Sequence, residues 1–148
     1  MVKYVVGLMF DDSMNRLVLI HKRHGPECVI GKWNGVGGHI EEGEQPTQTM
    51  VREFEEETGV LHTDWHKFCV LKHPQSECEV HFFYAKSTDA VQRVKTLTDE
   101  VVSIFRLAYS GVEMTVLPLD IMQNLTWMVP FVRDTTIPHD LGTIETVL

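Results

Sequence analysis

The sequence predicts an α+β fold, a mixed β-sheet with helices packed on its faces. Three observations carry that prediction. β-rich runs recur between clusters of turn formers; Pro46 and Gly59 bracket a helix from Pro46 to Thr58; and a second helical spacing runs from Leu119 to Arg133.

In chain order, Val2 to Phe10 and Arg16 to His21 flank Asp11-Asp12-Ser13-Met14-Asn15 and read as a hairpin. A loop with Gly25-Pro26 follows. Gly31, Gly35, Gly37, Gly38 and Gly43 then punctuate Trp33, Val36 and Ile40, a density that implies close backbone approaches or positive φ. Proline suits the first turn of a helix and glycine its end, which sets the Pro46 to Thr58 helix. Trp65 to Lys72 and Cys78 to Lys86 are two further strands, the second alternating as Val80, Phe82, Tyr84. Val101 to Leu107 is another. Leu119, Met122, Gln123, Thr126 and Trp127 have helical spacing, with Pro130 expected to kink or end that helix. The residues after Pro138 are expected to be loosely held.

At 148 residues the chain fits one domain, 1–148, with no repeat or linker, and 43% hydrophobic residues suffice for a core without disulfides. A formal net charge of −8 opposes binding to a nucleic-acid polymer. A small phosphate ester is still admissible, because clustered carboxylates loaded with Mg²⁺ become locally positive. Cys28, Cys69 and Cys78 form no C-x-x-C pair, which points to a reduced, cytoplasmic setting. The apolar run Tyr4 to Phe10 ends in Asp11-Asp12 and reads as a strand, and no segment approaches membrane-spanning length. A homodimer is left open.

The chemistry is concentrated on the first helix. At about 100° per residue, Glu56 lies roughly 60° to one side of Glu53 and Glu57 roughly 40° to the other, so three carboxylates share one face. Met50, Val51 and Phe54 cover the neighbouring arc and bury against the sheet, which puts the acidic face at the edge of the core. Arg52 borders it and reaches Glu56 at i+4. An arbitrary acidic run is most simply a solvated helix face. Like charges at this density also invite a counter-cation, and oxygen-only ligands favour Mg²⁺ or Mn²⁺ over zinc.

From Gly38 to Val60 the chain reads GHIEEGEQPTQTMVREFEEETGV. It resembles the Nudix box, G-x5-E-x7-R-E-U-x-E-E-x-G-U with U apolar, at Gly38, Glu44, Arg52, Glu53, Phe54, Glu56, Glu57, Gly59 and Val60. Trp33-Asn34-Gly35-Val36-Gly37-Gly38 looks like the strand that leads into the box in the MutT-like branch of the family, and Asn124-Leu125-Thr126-Trp127 resembles a late helix found there. The fold implied is the Nudix α/β/α sandwich.

The resemblance implies roles residue by residue. Glu53, Glu56 and Glu57 would bind divalent metal, with the Gly37 carbonyl as an additional ligand, while Gly38, Glu44, Arg52 and Gly59 would be structural support. Glu53 and Glu100 are the candidate general bases; Glu100, just before a strand, would also be a metal ligand from a later loop, and a surface acid is its simpler reading. Trp33 and Asn34 are candidate base contacts, against a core tryptophan and a turn residue. Trp127 is a candidate stacking residue, although a tryptophan facing the core is the simpler role. Arg23, within His21-Lys22-Arg23-His24, is a candidate phosphate contact. His62 and His66, at i,i+4, read as surface residues for want of a third ligand.

The leading expectation is a Mg²⁺-dependent pyrophosphohydrolase converting a nucleoside triphosphate, normal or oxidised, to monophosphate and pyrophosphate. The alternatives are ADP-ribose, a dinucleoside polyphosphate, a nucleotide sugar or an RNA cap as substrate, and a non-catalytic nucleotide-binding module. Silent modules usually lose box glutamates, and none is missing here.

Overall fold

The computed structural model describes residues 1–107 and 117–146. Strands β1 (Val2–Phe10), β2 (Arg16–His21), β3 (Trp33–Asn34) and β4 (Val36–His39) precede helix α1 (Pro46–Thr58). Strands β5 (His66–His73) and β6 (Cys78–Lys86), helix α2 (Thr88–Arg93), strand β7 (Val102–Arg106), helix α3 (Leu125–Arg133) and strand β8 (Thr143–Glu145) follow. The strands form one mixed sheet. β1 runs through its middle, antiparallel to β2 and β4 and parallel to β6. β5 pairs antiparallel with β6 and parallel with β8, while β3 and β7 pair antiparallel with β2.

Strand alternation sorts the core into two layers. Val6, Leu8 and Phe10 of β1 face α3, joining Leu17, Leu19, Phe68, Leu125 and Met128. Val5 and Met9 face the other way and join Val36, Met50, Phe54, Phe83, Ala90 and Val91 from α1 and α2. A sheet apolar on both faces must be covered on both, and the result is the expected α/β/α sandwich.

Three expectations need correction. The late helix begins at Leu125, not Leu119, because the preceding residues are drawn to β3: Trp33 bridges Ile121, and the Met122 amide donates to the Trp33 carbonyl at 2.8 Å. Pro130 does not end it. The helix runs on to Arg133, and the Asp134 amide returns to the Pro130 carbonyl at 3.1 Å. Residues 139–146 are not loose: the Leu141 amide donates to Phe68 at 2.7 Å and the Val70 amide to Gly142 at 2.8 Å, zipping β8 along β5, while 147 and 148 lie outside the described residues. Helix α2 was not anticipated, although Ser87 caps it by accepting the Ala90 amide at 3.0 Å.

Candidate functional site

Helix α1 carries the candidate site along the edge where it meets β4. The Gln48 side chain accepts the Gln45 amide at 2.9 Å as the helix starts, and Gly59, at φ 79°, closes it by donating to Glu55 at 2.9 Å. Met50 and Phe54 are fully buried, and Phe54 meets Trp65 edge-to-face at 5.2 Å between centroids. That burial fixes the rotation of the helix, leaving Glu53 at the rim, buried, with Glu57 half-buried and Glu56 exposed.

Two glycines of β4 make the close approach. A Cβ on Gly38 would land on the Glu53 carboxyl, and one on Gly37 would overlap the Val5 carbonyl across the β1–β4 pairing. The carboxylate of Glu53 therefore rests directly over the strand.

Arg52 organises the acids around it. Its Nε and Nη2 donate to the two oxygens of Glu44 at 2.8 and 2.9 Å, a fork-to-fork pair, and Nη2 also donates to the His39 carbonyl at 3.1 Å. Its Nη1 is shared between Glu53 at 3.0 Å and Glu56 at 3.2 Å. The hydrogen bonds from Arg52, then from the Glu41 amide, hold the Glu44 carboxyl down at about 2. Glu53 moves the other way: burial pushes its pKa up, against the opposing charge of Arg52 and with repulsion from Glu56. Glu57 is also raised, by burial and then by the charge of Glu100, with the Thr98 hydroxyl opposing at 3.2 Å.

Glu100 sits 3% exposed before β7. Its Oε1 accepts from Lys22 Nζ at 2.9 Å, and its Oε2 accepts the amides of Arg23 and His24 at 2.7 and 3.1 Å. Burial alone would raise its pKa, but these donors outweigh it and the carboxyl titrates below its ordinary range. Arg23 thus contributes its amide to this contact and leaves its side chain exposed. Beside it, His24 Nε2 meets Asp99 at 2.7 Å.

The donor set offered to a divalent cation is Glu53, Glu56 and Glu57, all oxygen, with the Gly37 carbonyl on β4 one residue before Gly38, which faces the Glu53 carboxyl. Among the described residues no three acidic, histidine or cysteine side chains already converge to hold a metal ion. Arg52 bonds Glu53 and Glu56, and Glu57 is held through Oε2 by the Thr98 hydroxyl, which leaves its Oε1 free of that contact. The set still fits a hard cation: its donors are all oxygen, and Glu53 and Glu57 are raised by burial and then by repulsion from neighbouring carboxylates, Glu56 for the first and Glu100 for the second, which a cation would relieve.

Trp33 is half-buried, edge-on to His21 and Phe105 at 5.0 Å each, so it is largely a packing residue. Asn34 is 7% exposed, and its Oδ1 accepts the Gly35 amide at 2.9 Å. Trp127 does not face the core: it is 42% exposed on α3, in the layer across the sheet from the carboxylates. His62 and His66 bind the carbonyls of Asp64 and His139 and do not converge. Sequence reasoning missed two residues. Thr98 reaches Glu57, and Asp120, whose carbonyl accepts the Trp33 amide at 2.9 Å, brings its carboxylate within 3.7 Å of His21. Both lie in loops, where no periodicity marks them.

The carboxylates along α1, carried on this sandwich, are those of a family of pyrophosphohydrolases, hydrolases acting on phosphoanhydrides. The chain belongs to the NUDIX family, whose NUDIX domain model matches residues 1–121. Hydrolases of this family use divalent metal ions and act on small nucleotide substrates. Among solved structures, the MutT NUDIX hydrolase from Burkholderia pseudomallei is similar at TM-score 0.67 and 20% identity, over 87% of this chain and 95% of that one. A MutT structure from work on Aliivibrio salmonicida and Vibrio cholerae gives 0.58 and 21%, over 72% and 79%. An ADP-ribose pyrophosphatase from Streptococcus suis gives 0.62 and 14%, over 98% of both chains. At these identities the likeness is one of fold. No described helix is long and apolar enough to cross a membrane.

Proposed function

We propose that the protein is a Mg²⁺-dependent hydrolase that converts a nucleoside triphosphate to its monophosphate and pyrophosphate, with Mn²⁺ as a substitute metal. The observation that carries the chemistry is the placement of Glu53, Glu56 and Glu57 along the rim of α1 beside Gly37 and Gly38. Bound there, the metal supplies charge neutralisation and a water of lowered pKa. Arg52 and Glu44 hold the helix to the 39–44 loop so that the carboxylates keep one spacing.

Of the two candidate bases we favour Glu53. Its position at the rim suits a group that accepts a proton, whereas both oxygens of Glu100 are already engaged by Lys22, Arg23 and His24. Asn34, next to Trp33 in β3, and Asp120, whose carbonyl accepts the Trp33 amide, are the polar groups we assign to a base edge, a contact that every nucleotide substrate offers. Trp127 and the Arg23 side chain are peripheral contacts in this reading. The fold shared with an ADP-ribose pyrophosphatase supports a second reading, a substrate carrying organic groups on both sides of the diphosphate.

We treat 1–148 as one domain, since α3 and β8, beyond the matched residues, complete the same core and sheet. Three free cysteines support a reducing, cytoplasmic setting. The test is Mg²⁺-dependent product analysis on normal and oxidised nucleoside triphosphates, ADP-ribose and dinucleoside polyphosphates. Free pyrophosphate supports the first reading; two phosphate-bearing organic fragments support the second; no turnover on the panel defeats both.

A further inference from the structure

Thr98 occupies an unusual position between two parts of the molecule that sequence keeps far apart. Its hydroxyl donates to Glu57 Oε2 at 3.2 Å, and its own Oγ1 accepts the Glu100 amide at 3.1 Å. Through its carboxylate, Glu100 in turn clasps Lys22 Nζ and the amides of Arg23 and His24. The His21 amide donates to the Val101 carbonyl at 2.9 Å and seats the same segment against β2. One hydroxyl therefore relates the last acidic residue of α1 to the basic 22–24 loop.

We propose that Thr98 is a positioning residue for the metal site: its hydroxyl, aligned by the Glu100 amide, holds the Glu57 carboxylate ready for a divalent cation at a fixed place relative to Lys22, Arg23 and His24. A glutamate on a helix rim has three rotatable bonds, and a carboxylate ordered before the ion arrives loses less freedom on binding it. The hydroxyl donates to Oε2 of Glu57, the oxygen it orders, and accepts the amide of Glu100. It is thus fixed by the fold. Thr98 itself is exposed, so its removal leaves the core untouched.

This inference rests on the reading of Glu57 as a metal ligand, and the test separates the two. Binding of Mn²⁺ alone to the full chain is followed by the loss of the free-ion paramagnetic resonance signal, for wild type, Thr98→Val, Thr98→Ser and Glu57→Gln. Thermal unfolding is recorded for each, and Thr98→Ala repeats the deletion without a branched side chain. The expected result is that Thr98→Val and Thr98→Ala bind Mn²⁺ about tenfold more weakly, with the melting temperature of both lowered alike by no more than a few °C for the lost bond to the Glu100 amide. Thr98→Ser, which restores the hydroxyl, recovers most of that loss. Wild-type affinity in the valine and alanine variants, with Glu57→Gln impaired, overturns the role of Thr98 and leaves Glu57 a ligand. Wild-type affinity in Glu57→Gln overturns both.

Discussion

The carboxylate of Glu53 lies where a side chain on Gly38 would have to go. The residue that opens the box and the first glutamate of its helix are in van der Waals opposition, and the glycine is what lets α1 settle onto β4 with an acid between them.

That relationship distinguishes two neighbouring substitutions. Gly38→Ala meets only the far end of a flexible side chain, so it is expected to cost no more than about 1 kcal/mol of stability while turning Glu53 aside and lowering kcat at least about tenfold. Gly37→Ala meets the Val5 carbonyl, part of the backbone, and is expected to destabilise by about 3 kcal/mol. Denaturant unfolding and turnover measured side by side check the pair; equal stability losses would contradict the geometry.

Arg52→Lys keeps the charge but not the fork that grips both oxygens of Glu44 and still reaches Glu53 and Glu56. A loss of about 1–2 kcal/mol in unfolding free energy and reduced turnover are expected. A lysine variant with wild-type stability and activity would show that charge alone suffices.

The Glu44 carboxyl, ordinarily near 4.5, titrates at about 2 in the folded protein. A lowered folded value means the ionised group stabilises the fold above the unfolded pKa and that this contribution fades as pH falls from 4.5 through about 2. The melting-temperature gap between wild type and Glu44→Gln should therefore narrow between about pH 5 and about pH 3. A gap that stays constant there would remove the pair from the account.

Glu57 has the opposite sign. Its folded pKa is raised, so at neutral pH its charge works against the folded state in the absence of metal. Glu57→Gln is expected to raise the metal-free melting temperature by about 2 °C and to abolish the stabilisation that Mg²⁺ gives wild type. Scanning calorimetry with and without Mg²⁺ reads both effects, and a metal-free variant less stable than wild type would refute the first.

What the sequence made legible was whatever its local rules control. Pro46 and Gly59 delimit α1 to the residue, and the alternation of Val80, Phe82 and Tyr84 in β6 marks one of the two core layers. The spacing of Glu53, Glu56 and Glu57 marked one helix face, but not that Arg52 would pull two of them together while Thr98 takes the third. Those contacts join loops to helix over long separations, which no periodicity records. The stretch from Leu119 to Asn124 has helical spacing yet follows β3, because main-chain bonds to Trp33 outweigh a weak local preference. Trp127 is exposed for a related reason: the helix is shorter than its apolar spacing suggested, and Leu125, Met128, Val129 and Val132 already fill the core side.

The clasp of Glu100 on residues 22–24 spans up to 78 positions of sequence, and Thr98 stands 41 beyond Glu57. During synthesis the acidic helix and the basic loop both leave the ribosome well before the segment that joins them, since nascent chains emerge N-terminus first. The carboxylates and the loop thus lack their common tether for the whole interval in which β5, β6 and α2 are being made. Assembly of the site is timed by the arrival of residues 98–100, so a chain interrupted before them carries the entire box and none of the tether that orders it.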